Sequence, residues 1–296
     1  MNKKLLQQSA LDCLQQYVPS KDKVFAQVSA HDAAWLAIAF SRLDGVHALY
    51  WLGQSLAMQD THAAEMFSAP IQGWAMGHLY KTAKDKPAML EQLRPMHAAA
   101  LRQHYYLYEY HDYSEDGLIG ARYADEGMEG LDASKAMRVE APLFNTFLIN
   151  SNECLIHLGS LLREKVNELI DYNELSVWSM NAKLWQERVG LYWSFDVQQR
   201  SVVASKSIAG LLPMLAGIPV QEQAELMLDK LTEYWQAPAF RKNISLNWLL
   251  YRGLLRYGMR ETAADLKRDT LAVALAQPVV HLRDAAVCIE WLCANR

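Results

Sequence analysis

Apolar side chains recur every three to four residues along almost the whole chain, and this spacing limits the fold more than any other feature. Turn residues interrupt it at short intervals, as at Pro19, Asp44-Gly45, Pro70 and Pro87. Proline in a first helical turn and glycine just past a last one are expected helix boundaries. The pattern predicts about twelve helices and no extended sheet.

The predicted helices begin with one that ends near Pro19 and continue over eleven more segments. These are residues 33–43, 46–59, 71–83, 87–109, 141–161, 164–187, 206–216, 221–234, 245–257, 260–276 and 281–294. Residues 190–196 alternate between apolar and polar side chains, which is typical of a short strand or hairpin.

Helices paired by short turns can close into an (α/α)6 toroid or stack into an open superhelix. No sequence repeat of fixed period is present, which favours the closed toroid. No linker rich in proline, glycine and serine divides the chain, so we expect residues 1–296 to form a single domain.

Composition excludes several classes of protein. The chain has 296 residues, a formal net charge of -4 and 51% hydrophobic residues, with no basic block for nucleic acid or an anionic membrane. The longest apolar runs, 33–40 and 208–218, are shorter than the ~20 residues of a membrane helix. Since no apolar signal-peptide core follows Leu5-Leu6, we expect a cytoplasmic protein.

Metal and nucleotide motifs are also missing from the sequence. There is no His-Glu-x-x-His, Cys-x-x-Cys, glycine-rich phosphate loop or Gly-x-Ser-x-Gly elbow. We therefore expect a small-molecule substrate and neither a metal nor a cofactor. Composition carries no information on oligomeric state.

Residues 111–138 form the one long segment without helical period, and long ordered loops are usually functional. Asp125, Glu126 and Glu129 lie close together in it. Neighbouring carboxylates raise the pKa of at least one of them, which would keep an acid protonated near neutral pH. The alternative is an acidic loop that is simply solvated.

Several segments, taken in order, match a known pattern. They are His31-Asp32-Ala33-Ala34-Trp35, Gln72-Gly73-Trp74, Asp116-Gly117-Leu118, Asp125-Glu126-Gly127-Met128-Glu129, Gly190-Leu191-Tyr192 and Asn247-Trp248-Leu249-Leu250-Tyr251-Arg252-Gly253-Leu254. The chain resembles the (α/α)6-barrel glycoside hydrolases related to mannosylglycerate hydrolase, processing glucosidase I and trehalase. The resemblance covers nearly all of the chain.

The resemblance implies an acid catalyst and a sugar site. Glu129 occupies the position of the family's catalytic acid, with Glu126 as the alternative proton donor and Asp125 beside it. The implied substrate-binding residues are Asp32, Trp35, Trp74, Asp112, Tyr192, Trp193, Trp248 and Tyr251. Each also has a structural interpretation: the aromatic rings as core, Asp32 as a helix N-cap and Asp112 in a side-chain-stabilised turn.

Two departures from the family bear on the chemistry. The acid position holds glutamate instead of aspartate, and the loop that carries the family's base is absent between Leu275 and His281. Inverting hydrolysis needs an acid and a second carboxylate roughly 6.5–9.5 Å apart. His111 and His281 are the other candidate bases.

Three hypotheses follow. The first is an acid-type catalyst of isomerisation, elimination or cyclisation that works without a water-activating base. The second is an inverting α-glycosidase of a small glycoside, with Glu129 as its acid and a base recruited from elsewhere. The third is a protein that binds a ligand or partner without catalysis.

Overall fold

The computed structural model describes residues 2–19, 28–61, 69–122, 138–204, 207–235, 243–276 and 278–293. Within these ranges the chain forms eleven α-helices. They are α1 Lys3–Gln15, α2 Ala30–Phe40, α3 Gly45–Thr61, α4 Gln72–Thr82, α5 Lys86–His111, α6 Pro142–Leu162, α7 Asn167–Ser179, α8 Gln221–Trp235, α9 Ile244–Arg256, α10 Arg260–Ala276 and α11 Leu282–Cys293.

Shorter elements complete the described part of the chain. A π-helical turn spans Met180–Leu184, and 3-10 turns span Ile208–Gly210 and Leu212–Ala216. The strands are β1 Gly120–Arg122, β2 Arg138–Glu140, β3 Trp185–Gln186, β4 Leu191–Tyr192, β5 Ser194–Asp196 and β6 Ser201–Val203.

Six elements form a closed inner ring. α2 packs against α4, α4 against α6, and α6 against the 3-10 turn Leu212–Ala216. That turn packs against α9, α9 against α11, and α11 returns to α2. Outside the ring, α3 packs on α2, α5 on α4 and α6, α7 on α6, α10 on α9 and α1 on α11. Because the last inner helix contacts the first, the fold is a toroid and not an open superhelix.

One ring position is held by 3-10 turns where the sequence pattern predicts an α-helix over 206–216. Ser207 begins the segment by accepting a hydrogen bond from the backbone N–H of Ala209. Pro213 has no N–H to donate to the carbonyl four residues earlier, so an α-helix loses a bond there. Gly217, at φ 66°, ends the segment in the left-handed region. The helix prediction was wrong at this position.

Two glycines let neighbours in the ring approach each other backbone to backbone. A Cβ atom on Gly73 of α4 would lie 2.6 Å from the backbone oxygen of Ser151 in α6. A Cβ atom on Gly253 of α9 would lie 2.8 Å from the Cβ of Met214 in the 3-10 turn. Both distances are too short for a real side chain, so the ring packs at this distance only because these positions are glycine.

The inner helices α2, α6, α9 and α11 begin at the same end of the ring, which we call the N-terminal rim. The His31 ring in the first turn of α2 lies 5.5 Å from the Phe147 ring in α6. Arg283 in the first turn of α11 contacts Asp32 in the first turn of α2. The first turns of α9 and α11 line a common cavity.

A cluster of aromatic rings fills the interior of the ring. Trp74 lies 5.8 Å from Trp35, 5.4 Å from Trp248 and 6.4 Å from Phe147 between ring centroids. All four side chains are buried and belong to one continuous apolar core. No helix in the described ranges is long and apolar enough to cross a membrane.

The described residues also form two small antiparallel sheets, although the sequence pattern predicts only a strand or hairpin within 190–196. The larger sheet has the order β1-β2-β5-β6, and the smaller one pairs β3 with β4. The two strands within 190–196 therefore pair with other segments and not with each other. The α-helix predicted over 164–187 ends at Ser179 and continues as the π-helical turn Met180–Leu184, after which Trp185 and Gln186 pair with β4.

Candidate active site

A two-stranded hairpin carries the segment expected to hold the catalytic acid. β1 pairs with β2 in the register Gly120↔Glu140 and Arg122↔Arg138, so residues 123–137 connect the two strands. β2 ends immediately before α6 begins at Pro142, which places Glu140 at the N-terminal rim. Asp125, Glu126 and Glu129 belong to the connection and lie outside the described residues.

An ion-pair cluster fixes the base of this hairpin. The Lys183 Nζ lies 2.5 Å from Oε2 of Glu140 and 2.7 Å from Oδ2 of Asp116. Ser114 donates its hydroxyl to Oε1 of Glu140 at 2.7 Å. Burial raises the pKa of Glu140, while Lys183 and Ser114 favour its ionised form. The cluster ties β2 to the π-helical turn that contains Lys183.

Polar residues of the rim surround a cavity of 520 Å³, which is the size of a small-ligand site. It is lined by Asp32, Asn243, Ser245, His281, Leu282, Arg283 and Asp284. A second cavity of 320 Å³ shares His281 and Asp284 with it. The second is otherwise apolar, lined by Ile244, Ala274, Pro278, Val279 and Val280.

Asp32 lies in the wall of the larger cavity with both carboxylate oxygens engaged. Oδ1 accepts a hydrogen bond from Nε of Arg283 at 2.9 Å, and Oδ2 accepts one from the Ser29 hydroxyl at 3.0 Å. Ser29 is the N-cap of α2, since its Oγ also accepts the backbone N–H of Asp32. The prediction that Asp32 caps the helix was therefore wrong by three residues.

Asp284 is the second carboxylate in the cavity wall. Burial raises its pKa, while His281, the backbone N–H of Ser245 and Arg283 act in the opposite direction. Asp284 is not among the residues selected from the sequence, because only closure of the ring brings it into the same cavity wall as Asp32.

Three of the expected substrate-binding aromatics lie in the ring interior. Trp35, Trp74 and Trp248 are 1–4% exposed and do not line the cavity. Trp35 donates Nε1–H to Nε2 of the buried His31, whose Nδ1 lies 3.2 Å from the Ala69 carbonyl oxygen. Burial lowers the pKa of His31 to about 3, so the imidazole is neutral and both of its nitrogens are used.

The other expected contacts are spread over the fold. The Tyr192 hydroxyl lies 2.7 Å from Oδ1 of Asn181, and the half-buried Trp193 follows it between β4 and β5. Tyr251 packs edge-on against Trp291, at 5.8 Å between centroids. None of these side chains lines the 520 Å³ cavity.

Asp112 and His111 have local roles in the described residues. Asp112 accepts the backbone N–H groups of Asp116 and Gly117, which confirms the turn predicted for it. His111 Nδ1 lies 3.1 Å from the Tyr113 hydroxyl, and burial lowers its pKa. Of the two candidate histidine bases, His281 lines the cavity and His111 does not.

The sequence model of the mannosylglycerate hydrolase MGH1-like glycoside hydrolase domain matches residues 24–241. The chain belongs to this family. The match includes α2, the hairpin with its 123–137 connection and the 3-10 turns, and it ends before α9. Asp284 therefore lies beyond the part of the chain that the MGH1-like domain accounts for.

Characterised relatives of the MGH1-like chain are mannosylglycerate hydrolases. The one from Thermus thermophilus is 29% identical over 153 residues, which are 44% of this chain and 36% of the relative. Mannosylglycerate hydrolase MGH1 of Selaginella moellendorffii is 23% identical over 185 residues, which are 51% of this chain and 36% of the relative. The chain thus aligns with about a third of the length of each relative.

Solved structures confirm the (α/α)6 toroid for this MGH1-like chain. A crystal structure of the GH63 mannosylglycerate hydrolase of Thermus thermophilus with glucose superposes with a TM-score of 0.82 at 19% identity, covering 98% of this chain and 100% of that one. Neutral trehalase Nth1 of Saccharomyces cerevisiae superposes with a TM-score of 0.70 at 10% identity, covering 90% and 71%.

Proposed function

We propose that the chain hydrolyses a small glycoside with inversion at the anomeric carbon. The observation that carries this proposal is the polar 520 Å³ cavity at the N-terminal rim, the end of the ring at which β2 leads into α6. Six of its seven lining residues carry polar or charged side chains. Such a lining suits hydroxyl groups, whereas the aromatic rings that an apolar substrate would contact pack against one another.

In this proposal the 123–137 connection supplies the proton donor. Glu129, or Glu126 in its place, protonates the oxygen that leaves the anomeric carbon, and the nearby Asp125 helps to keep that acid protonated. Asp32, held in place by Arg283 and Ser29, accepts hydrogen bonds from sugar hydroxyls. A second carboxylate takes the proton of the attacking water.

The first substrate to examine is mannosylglycerate, because the matching relatives are named for its hydrolysis. A cavity of 520 Å³ accommodates a compound of this small size. Small α-glycosides with an anionic or neutral aglycone form the rest of the panel.

A second candidate is the acid-type catalyst of isomerisation, elimination or cyclisation. Only residues 277–281 connect α10 to α11, where the family resemblance expects the loop that carries the base. The adjoining apolar cavity of 320 Å³ suits a less polar part of a substrate. A carboxylic acid without an activated water favours rearrangement over hydrolysis.

The test is product analysis by NMR with the parent chain and a Glu126→Gln/Glu129→Gln double variant. We expect the parent to release a sugar of inverted anomeric configuration and the double variant to lose about 10²-fold or more of that activity. Glu222→Gln, in the exposed first turn of α8, is the matched control and keeps full activity. A rearranged product without uptake of water would support the second candidate, and binding without turnover would contradict both.

A further inference from the structure

Resting on the proposed function, we infer that Asp284 is the catalytic base that activates the water. It lies in the first turn of α11, outside the residues matched by the family domain, and it faces both cavities. The family resemblance expects the base on a loop before the last helix, but only residues 277–281 connect α10 to α11 here. In this proposal Asp284 takes the place of that base.

Asp284 lies on the opposite side of the ring from the helix that β2 leads into. Going round the ring, the order is α2, α4, α6, the 3-10 turns, α9 and α11, so α6 and α11 lie opposite each other. β2 leads directly into α6, and Asp284 lies in the first turn of α11. Inverting hydrolysis uses two carboxyl groups that flank the scissile bond, and a base on α11 enters the ring mouth from the side away from α6.

The two carboxylates of the cavity differ in their contacts. Both oxygens of Asp32 are engaged, by Arg283 and by Ser29. Asp284 makes no ion pair within the described part of the chain, and it accepts a hydrogen bond from the backbone N–H of Ser245. It therefore keeps lone pairs for a water molecule, and Asp32 is left to hold the substrate.

His281 is the competing base, since it lines the same two cavities. It precedes α11 by one residue and acts on Asp284 electrostatically. Through this electrostatic effect on Asp284, His281 is a positioning residue in this scheme. Replacing His281 with Gln should change the pH profile while leaving turnover within about tenfold of the parent.

In the proposed reaction, water is the nucleophile and Asp284 accepts its proton. A water oxygen bonds to the anomeric carbon while one of its protons moves to the Asp284 carboxylate. The bond from the anomeric carbon to the leaving oxygen breaks, and that oxygen takes the proton of the loop acid. Solvent then removes the proton from Asp284 and returns one to the acid, so that only water is consumed.

Glycosyl fluorides separate the two roles, because fluoride leaves without a proton and its departure needs only the base. We would measure fluoride release from α-mannosyl fluoride by the parent, Asp284→Asn, the acid double variant and Glu261→Gln. Glu261 is the control, an exposed acidic residue in the first turn of α10. We expect Asp284→Asn to lose about 10²–10⁴-fold, the acid double variant to stay within tenfold of the parent, and Glu261→Gln to match it.

Chemical rescue by azide tests whether Asp284 takes part in the reaction, because azide would not restore activity lost through a purely structural defect. Azide added to Asp284→Ala should restore fluoride release and give a glycosyl azide of inverted configuration, because azide needs no base. Azide should leave the Glu261→Gln rate unchanged.

Each negative result has a distinct meaning. Parent-like rates for Asp284→Asn, or loss of activity in His281→Gln alone, would overturn the assignment of Asp284 and leave the proposed function in place. Absence of azide rescue in a folded Asp284→Ala would overturn it as well. A parent chain that hydrolyses neither mannosylglycerate nor any glycosyl fluoride would overturn the proposed function itself.

Discussion

Asp32 and Arg283 join the first inner helix of the ring to the last, with Oδ1 of the carboxylate 2.9 Å from Nε of the guanidinium. The residues are 251 positions apart in sequence. The contact therefore forms only when the toroid closes, and it lies in the wall of the candidate active site. Closure of the fold and assembly of the site involve the same pair of side chains.

We expect this pair to contribute modestly to stability and more to binding. Its side chains are 27% and 33% exposed, so the coupling energy in an Asp32→Asn/Arg283→Gln double-mutant cycle should be about 1 kcal/mol or less. Denaturant titration measures it. Asp32→Asn should also raise KM for the substrate more than it lowers kcat. An unchanged KM would contradict the binding role of Asp32.

Lys183 should be far more sensitive to replacement. Glu140 is fully buried, and a Lys183→Met variant removes the cation beside it. Breaking a buried pair by removing one partner costs about 3–5 kcal/mol, and we expect a loss in unfolding free energy towards the lower value. Adding Glu140→Gln should recover part of it. Lys230→Met, which breaks the surface pair with Glu233, is the control and should leave stability unchanged.

The close approach at Gly253 predicts a clash between α9 and the 3-10 turn. An alanine Cβ there would meet the Cβ and backbone carbon of Met214 at 2.8 and 2.9 Å. Overpacking of this kind costs about 1–3 kcal/mol of unfolding free energy. Gly45→Ala, where nothing lies within 4 Å of the added carbon, is the matched control and should not destabilise. Equal effects of both substitutions would contradict the packing argument.

Two buried histidines predict loss of stability in mild acid. Burial lowers the pKa of His31 to about 3 and that of His104 to about 4, against 6.5 for a free imidazole. Below pH 6.5 the unfolded chain takes up protons that the folded chain does not, so stability falls as the pH falls. Each group contributes about 1.4 kcal/mol per pH unit well below 6.5 and above its folded pKa.

The measurement is urea unfolding between pH 6.5 and 4.5. A His31→Gln/His104→Asn variant should start less stable but lose stability less steeply as the pH falls. The same slope in the variant and the parent would show that other groups cause the acid sensitivity.

Sequence periodicity predicted the long helices because each buries one face over several turns. It missed β1, β2 and β6, since three residues carry too little alternation to identify a strand. It also extended a helix past Ser179, where pairing of Trp185 with Tyr192 decides the structure. Such pairing is tertiary and leaves no local pattern.

The residues of the candidate site also separate into those that local sequence motifs predict and those that only tertiary structure reveals. Asp32 was selected because its motif is local, and the turn at Asp112 followed from its residue type. Asp284 could not be selected, because its role depends on ring closure and on the missing loop before α11. The three tryptophans were selected for their motifs, but the interior of the ring buries them against one another.

The strands on either side of residues 123–137 are held by contacts that involve none of those residues. Lys183 and Ser114 bind Glu140 at the end of β2, and β2 pairs with β5. Substitutions within 123–137 leave these contacts in place. A chain built in this way can therefore change one connecting segment in the course of evolution while the residues that anchor it are kept.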